Sequence, residues 1–87
     1  MWTITKDIIN PNCGDKSVLA HSSNWREEKR ATAFPFQLCD DDGELYFEGL
    51  STDNSSERAF APLDEFGTAY GCTTIWYQDA KGAWEQL

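Results

Sequence analysis

Apolar and polar residues alternate in five short stretches of this chain, and a period of two is typical of β-strands. The stretches are WTIT, AFPFQL, ELYFEG, CTTIWYQ and AWEQL. In the first, Trp2 and Ile4 share one face, and in the second Phe36 and Leu38 do so. Pro35 cannot donate a ladder hydrogen bond, so we expect its strand to lie at an edge or to begin unpaired.

The second and third stretches predict a β-hairpin, and its loop length can be tested against the faces of the two strands. A slip of one residue turns every side chain to the other face. A loop of three residues would therefore bring a carboxylate onto the apolar face, whereas an even loop would not. We predict a loop of four, residues 40–43, with a positive φ at its glycine. The resulting cross-strand pairs are Leu38 with Leu45 and Phe36 with Phe47.

A single short helix is predicted over FAPLDEFG. Pro62 suits the first helical position, and the acids Asp64 and Glu65 suit the positive end of the helix. Three apolar residues spaced by three would lie on one side of this turn: Phe60, Leu63 and Phe66. The order of elements predicts an α+β fold, as one small domain over residues 1–87 with a mainly antiparallel sheet of about five strands and one short helix.

Residues 16–33 leave two interpretations open. SNWREEKRA fits a short polar helix capped by Asn24, and it fits equally a loop that leads into the next strand, which we favour. The tryptophans Trp25 and Trp76 are also open, since each is either exposed at an interface or covers a small second core. The aromatic residues expected in the main core are Trp2, Phe36, Phe47, Tyr77 and Trp84.

Charge is concentrated in one part of the chain, whose formal net charge is −8. Residues 40–65 hold nine acidic side chains and one basic side chain, so this block alone carries −8. Residues 1–39 carry +1 and residues 66–87 carry −1. Such an acidic block repels nucleic acid and anionic membrane surfaces. Direct binding of nucleic acid or membrane is therefore not expected.

The compartment is predicted to be the cytoplasm. The N-terminal MWTITKD lacks the basic and apolar regions of a signal peptide, and no apolar run reaches the roughly 18 residues of a membrane span. The chain has three cysteines, Cys13, Cys39 and Cys72, and no two of them have the CxxC spacing. We expect reduced, partly buried thiols rather than a zinc site.

The spacing of the acidic residues and the histidine gives little support for metal binding or catalysis. A calcium loop counted from Asp40 would put Leu45 at the sixth position and Ser51 at the twelfth, where glycine and glutamate are required. The chain has one histidine, His21, in the sequence LAHSSN, which matches no local catalytic motif. We therefore predict no enzymatic activity, no cofactor and no specific metal site.

The combination of several motifs over residues 34–87 resembles a group of short proteins encoded on plasmids, genomic islands and other mobile elements of proteobacteria. The motifs are DDGELYFEG, PLDEFG, GCT and a closing WE. The resemblance implies a bacterial cytoplasmic protein from an accessory gene. It brings with it no activity, cofactor or catalytic residue.

Charge and aromatic placement together predict a non-catalytic acidic interaction protein that meets a basic surface of a partner protein. On a mobile element, that partner could be a host defence complex whose nucleic-acid channel is mimicked. The alternative is a small-ligand or metal-binding domain, and the simplest interpretation is a soluble domain with a solvated acidic turn. The candidate interaction surface comprises Asp40, Asp41, Asp42, Glu44, Glu48, Asp64, Glu65, Trp25 and Trp76.

Overall fold

The computed structural model describes residues 1–8 and 20–87. In this part of the chain, five strands form one antiparallel sheet in the order β1-β3-β2-β4-β5. They are β1 (Trp2–Asp7), β2 (Phe34–Cys39), β3 (Leu45–Ser51), β4 (Thr74–Gln78) and β5 (Trp84–Gln86). The predicted α+β class is confirmed.

One short helix, α1 (Ala61–Glu65), lies between two 3₁₀-helices, Glu57–Phe60 and Gly67–Tyr70. Pro62 is in its first turn but is the second helical residue, one position later than predicted. Leu63 and Ala59 from this helical segment join the core formed by one face of the sheet. Of the three apolar residues predicted on one side of this turn, Leu63 is buried and Phe66 packs against the core, whereas Phe60 is 37% exposed and its neighbour Ala59 is fully buried instead.

The core confirms most of the predicted aromatic positions. Trp2, Phe36, Phe47 and Tyr77 are buried, together with aliphatic side chains of the same face. Trp84 is an exception and is only half-buried. It pairs with Gln78, one residue beyond Tyr77, so strand alternation places it on the outer face of the sheet, opposite α1.

The β2–β3 hairpin buries Phe36, Leu38 and Phe47 on the predicted face, but its register differs from the predicted one. The expected burial of Leu45 on that face is wrong, because Leu45 is only half-buried and Tyr46 packs against the core instead. Leu38 pairs with Phe47, so the predicted pair of Leu38 with Leu45 is wrong, as is that of Phe36 with Phe47. The register then shifts, because Cys39 pairs with Leu45 and leaves Tyr46 as an extra residue in β3. This β-bulge changes the parity of the hairpin. The loop is consequently three residues long, 41–43, and still keeps carboxylates off the core face.

The two edge strands, β1 and β5, differ in what pairs with their outer sides. On the β1 side, residues 20–22 run along the strand. The Ile4 N–H donates to the Ala20 oxygen, and the Ser22 N–H donates to the Trp2 oxygen, both at 2.8 Å. On the β5 side, no strand among the described residues pairs with the outer edge. Pro35 lies in the interior strand β2, where pairing with β4 begins only at Phe36, so its start is unpaired on that side.

Residues 16–33 are described from residue 20 onward. The favoured loop is wrong for part of this segment, since Glu27–Thr32 is a 3₁₀-helix. Its N-cap is Arg26 rather than Asn24, and Asn24 instead accepts a hydrogen bond from the Ser22 hydroxyl. The turn expected over residues 10–15, and Cys13 with it, lie outside the described residues.

Candidate interaction surface

The β2–β3 turn is organised by the carboxylate of Asp40. Its Oδ1 accepts the backbone N–H groups of Asp42 and Glu44, both at 2.9 Å. The Asp40 N–H donates to the Glu44 oxygen, and the Gly43 N–H donates to the Asp40 oxygen. Hydrogen bonds to the charged form, above all from the Glu44 N–H, lower the pKa of Asp40. Asp40 is therefore a half-buried structural residue of the turn.

The other three acids of the turn project into solvent. Asp41, Asp42 and Glu44 are exposed, and within residues 1–8 and 20–87 their carboxylates have neither a hydrogen bond nor an ion pair. We call these three side chains the acidic turn. They are held on a closed hairpin rather than on a loose loop, so their carboxylates are displayed together with little freedom in the backbone.

The remaining acids of the predicted surface lie elsewhere. Glu48 follows the buried Phe47 in β3 and so points to the outer face, where it accepts a hydrogen bond from Gln37 at 3.3 Å. Asp64 and Glu65 are exposed on α1, on the opposite side of the sheet, and Glu65 accepts a 3.4 Å hydrogen bond from the Trp2 indole. The structure does not bring these acids together with the acidic turn.

Trp25 and Trp76, whose exposure the sequence does not decide, lie in different environments. Trp25 is buried, with 7% of its surface exposed, so the exposed alternative is wrong for this residue. Its indole N–H donates to Glu27 at 3.0 Å, and the Arg30 guanidinium lies 6.0 Å from the ring centroid. Trp76 is half-buried on the outer face, where its indole N–H donates to Thr74.

An exposed aromatic residue that is not among the predicted site residues lies close to the hairpin. Tyr70 is 52% exposed, and its ring centroid lies 5.1 Å from that of Phe47 and 4.9 Å from that of Phe66. It belongs to the 3₁₀-helix Gly67–Tyr70, outside every alternating stretch. Its only signal in the sequence is its place between two glycines, in GTAYG.

Two cysteines and one histidine lie among the described residues. Cys39 and Cys72 are buried and free, and burial raises the pKa of Cys72 to about 11, so its thiol stays protonated near neutral pH. His21 is exposed, with Nδ1 2.8 Å from the Ser22 carbonyl oxygen. Among the described residues, no three acidic, histidine or cysteine side chains converge where they could hold a metal ion.

Comparison with protein-family models, with curated proteins and with solved structures gave no significant match. The resemblance to proteins of mobile elements therefore stays a prediction from the motifs. None of the helices in residues 1–8 and 20–87 has the length and apolar character needed to cross a membrane.

Proposed function

We propose that this chain is a non-catalytic binding protein whose acidic turn meets a basic surface of a partner protein. The observation that carries the proposal is the exposure of Asp41, Asp42 and Glu44 without compensating cations in the described part of the chain. Fixed carboxylates of one sign attract a basic surface and speed its association. Tyr70, exposed beside Phe47, is the nearest aromatic candidate for an apolar contact at the same interface.

Charge reversal tests the proposal. The test variant carries Asp41→Lys, Asp42→Lys and Glu44→Lys, and the matched control carries Glu28→Lys, Glu57→Lys and Asp64→Lys. Both variants change the net charge equally, and all six positions are exposed. Immobilised wild type, test variant and control are incubated with a bacterial lysate at low and at moderate salt, and the retained proteins are compared.

We expect basic proteins that are retained by the wild type and the control, are lost by the test variant, and decrease as salt rises. Attraction between exposed charges fades over a Debye length of about 8 Å at physiological ionic strength, which accounts for the salt effect. Retention of the same proteins by all three chains, without dependence on salt, contradicts the proposal. In that case the acids serve only to form and solubilise the turn.

The wider role proposed here rests on the resemblance to proteins of mobile elements. In this setting, the basic partner is a nucleic-acid-binding protein of a host defence system, and the acidic turn occupies part of its nucleic-acid channel. A short DNA duplex should then compete with the wild-type chain for the captured partner. If DNA and the chain bind that partner simultaneously and independently, the mimicry is ruled out.

A further inference from the structure

The outer edge of β5 carries backbone groups that have no partner within residues 1–8 and 20–87, and the pairing with β4 identifies them. The Leu87 N–H donates to the Ile75 oxygen at 3.0 Å, and the Asp79 N–H donates to the Ala83 oxygen at 2.8 Å. In an antiparallel ladder, every second residue directs both of its backbone groups to one neighbour. Glu85 therefore faces β4, in line with its pairing to Tyr77. Trp84 and Gln86 direct their N–H and C=O groups outward.

The two faces beside this edge differ in chemistry. On the α1 side lies a depression of about 110 Å³, whose lining includes Tyr77, Asp79, Glu85 and Leu87. The Asp79 Oδ1 accepts the backbone N–H groups of Lys81 and Ala83, whereas the Glu85 carboxylate has no hydrogen bond or ion pair in the described residues. Their two negative charges, with no lysine or arginine in the lining, favour a cationic side chain. On the outer face lies the half-buried Trp84, which offers an apolar surface.

We propose that the outer edge of β5 accepts an extended basic segment of a partner protein as an added antiparallel or parallel strand. Backbone bonds to Trp84 and Gln86 would supply the affinity, as in other cases of β-strand addition. The residue opposite Glu85 would be lysine or arginine, with its charge over the depression, and the residues on either side of it would place apolar side chains beside Trp84. This site is separate from the acidic turn, and the inference does not depend on it.

A model peptide tests this directly. The probe is a blocked peptide in which valine and lysine alternate, and its control carries glutamate in place of lysine. Amide hydrogen exchange of the full chain, followed by NMR, reports on the edge. We expect the lysine peptide to slow exchange at the Trp84 and Gln86 amides, which have no backbone partner in the described residues, and the glutamate peptide to have no effect.

Two variants separate the contributions. Glu85→Gln should weaken binding of the lysine peptide by about two- to fivefold, as expected for one cross-strand charge pair, whereas Asp41→Asn on the acidic turn should not. Gln86→Pro should abolish binding, because it removes an outward N–H. Slow exchange of the Leu87 amide in that variant shows that β5 still pairs with β4.

Three outcomes overturn the inference. The first is unchanged exchange at Trp84 and Gln86 with the lysine peptide. The second is that the glutamate peptide binds as tightly as the lysine peptide, or that the lysine peptide binds Glu85→Gln as tightly as it binds the wild type. The third is protection of the same two amides when the peptide-free chain is concentrated, because the occupant would then be a second copy. A defect at the acidic turn leaves all of these measurements unaffected, so failure of the two proposals can be told apart.

Discussion

The Tyr77 hydroxyl donates a 2.7 Å hydrogen bond to the Ala59 carbonyl oxygen, and this bond ties strand β4 to the 3₁₀-helix Glu57–Phe60. Both residues are buried. Tyr77→Phe removes the donor and leaves the carbonyl without this partner in a dry environment. We expect the free energy of unfolding to fall by about 1–3 kcal/mol, measured by denaturant titration. Tyr70→Phe, at an exposed position, should change it by less than about 0.5 kcal/mol.

The environment of Tyr77 also predicts that the stability of the fold depends on pH in the alkaline range. Burial raises the pKa of Tyr77 to about 12 from an ordinary value of 10.0. A raised pKa in the folded state means that the neutral hydroxyl stabilises the fold below pH 10, and that this contribution is lost as pH rises towards 12. The stability difference between the wild type and Tyr77→Phe should therefore shrink over this range. A difference that stays constant from pH 9 to 12 contradicts the assignment.

Gly49 is predicted to be the least replaceable glycine of the sheet. A Cβ at this position would lie 2.3 Å from the Thr3 carbonyl oxygen and 2.5 Å from a ring carbon of Phe36. Backbone on one side and a fully buried ring on the other leave no room to relax. We expect Gly49→Ala to cost about 3 kcal/mol or more, or to prevent folding, as measured by thermal and denaturant unfolding.

Gly43→Ala is the matched comparison for Gly49→Ala. Gly43 has a φ of +80°, but a Cβ there would meet nothing within 4 Å. The left-handed backbone alone should cost about 1–2 kcal/mol. A result in which Gly43→Ala is as damaging as Gly49→Ala would contradict the packing around Phe36.

The hydrogen bonds of Asp53 predict that the stability of the fold depends on pH in the acidic range. It accepts hydrogen bonds from the Ser56 hydroxyl and from the backbone N–H groups of Ser55 and Ser56, which lower its pKa to about 2 from 3.8. A lowered pKa means that stabilisation is complete above pH 4 and is lost as pH falls through about 2. Asp53→Asn should lower the melting temperature at pH 7, and its difference from the wild type should shrink towards pH 2. Asp41→Asn should change little at either pH.

Metal titration separates the interaction proposal from the metal-binding alternative. A ligand that binds only the folded form raises its stability by mass action. We expect Ca²⁺ and Mg²⁺ at sub-millimolar concentration to leave the melting temperature almost unchanged, since no three suitable side chains converge in the described residues. A rise of several degrees that disappears in Asp42→Ala would favour the metal-binding alternative.

The hairpin shows how far the residue pattern can be taken. Alternation placed Phe36, Leu38 and Phe47 correctly on the buried face, because burial of apolar area decides which face a strand turns inward. It gave the wrong loop length, because the extra residue Tyr46 reverses parity within the ladder. No property of Tyr46 itself marks a bulge. The number of residues in the loop therefore depends on a pairing irregularity that the pattern does not encode.

The predicted interaction surface is only partly correct for a different reason, which is that residues close in sequence need not be close in the fold. The seven acids of the predicted surface all lie within residues 40–65 of the sequence, but strand alternation and chain reversal send Glu48 and Asp64 to opposite sides of the sheet. The charged neighbours of Trp25 in the sequence do not indicate whether its side chain is buried. The structure buries it through contacts with two of those neighbours, Glu27 and Arg30, which local composition does not reveal.

The unequal edges of the sheet also limit how copies of this chain can assemble. Among the described residues, 20–22 occupy the outer side of β1 from Trp2 to Ile4, whereas no strand covers the outer side of β5. Growth of a fibril by edge-to-edge stacking needs a free edge on both sides of each molecule. Contact through β5 alone would close after two copies. Contact between sheet edges is therefore not a route by which this chain builds filaments.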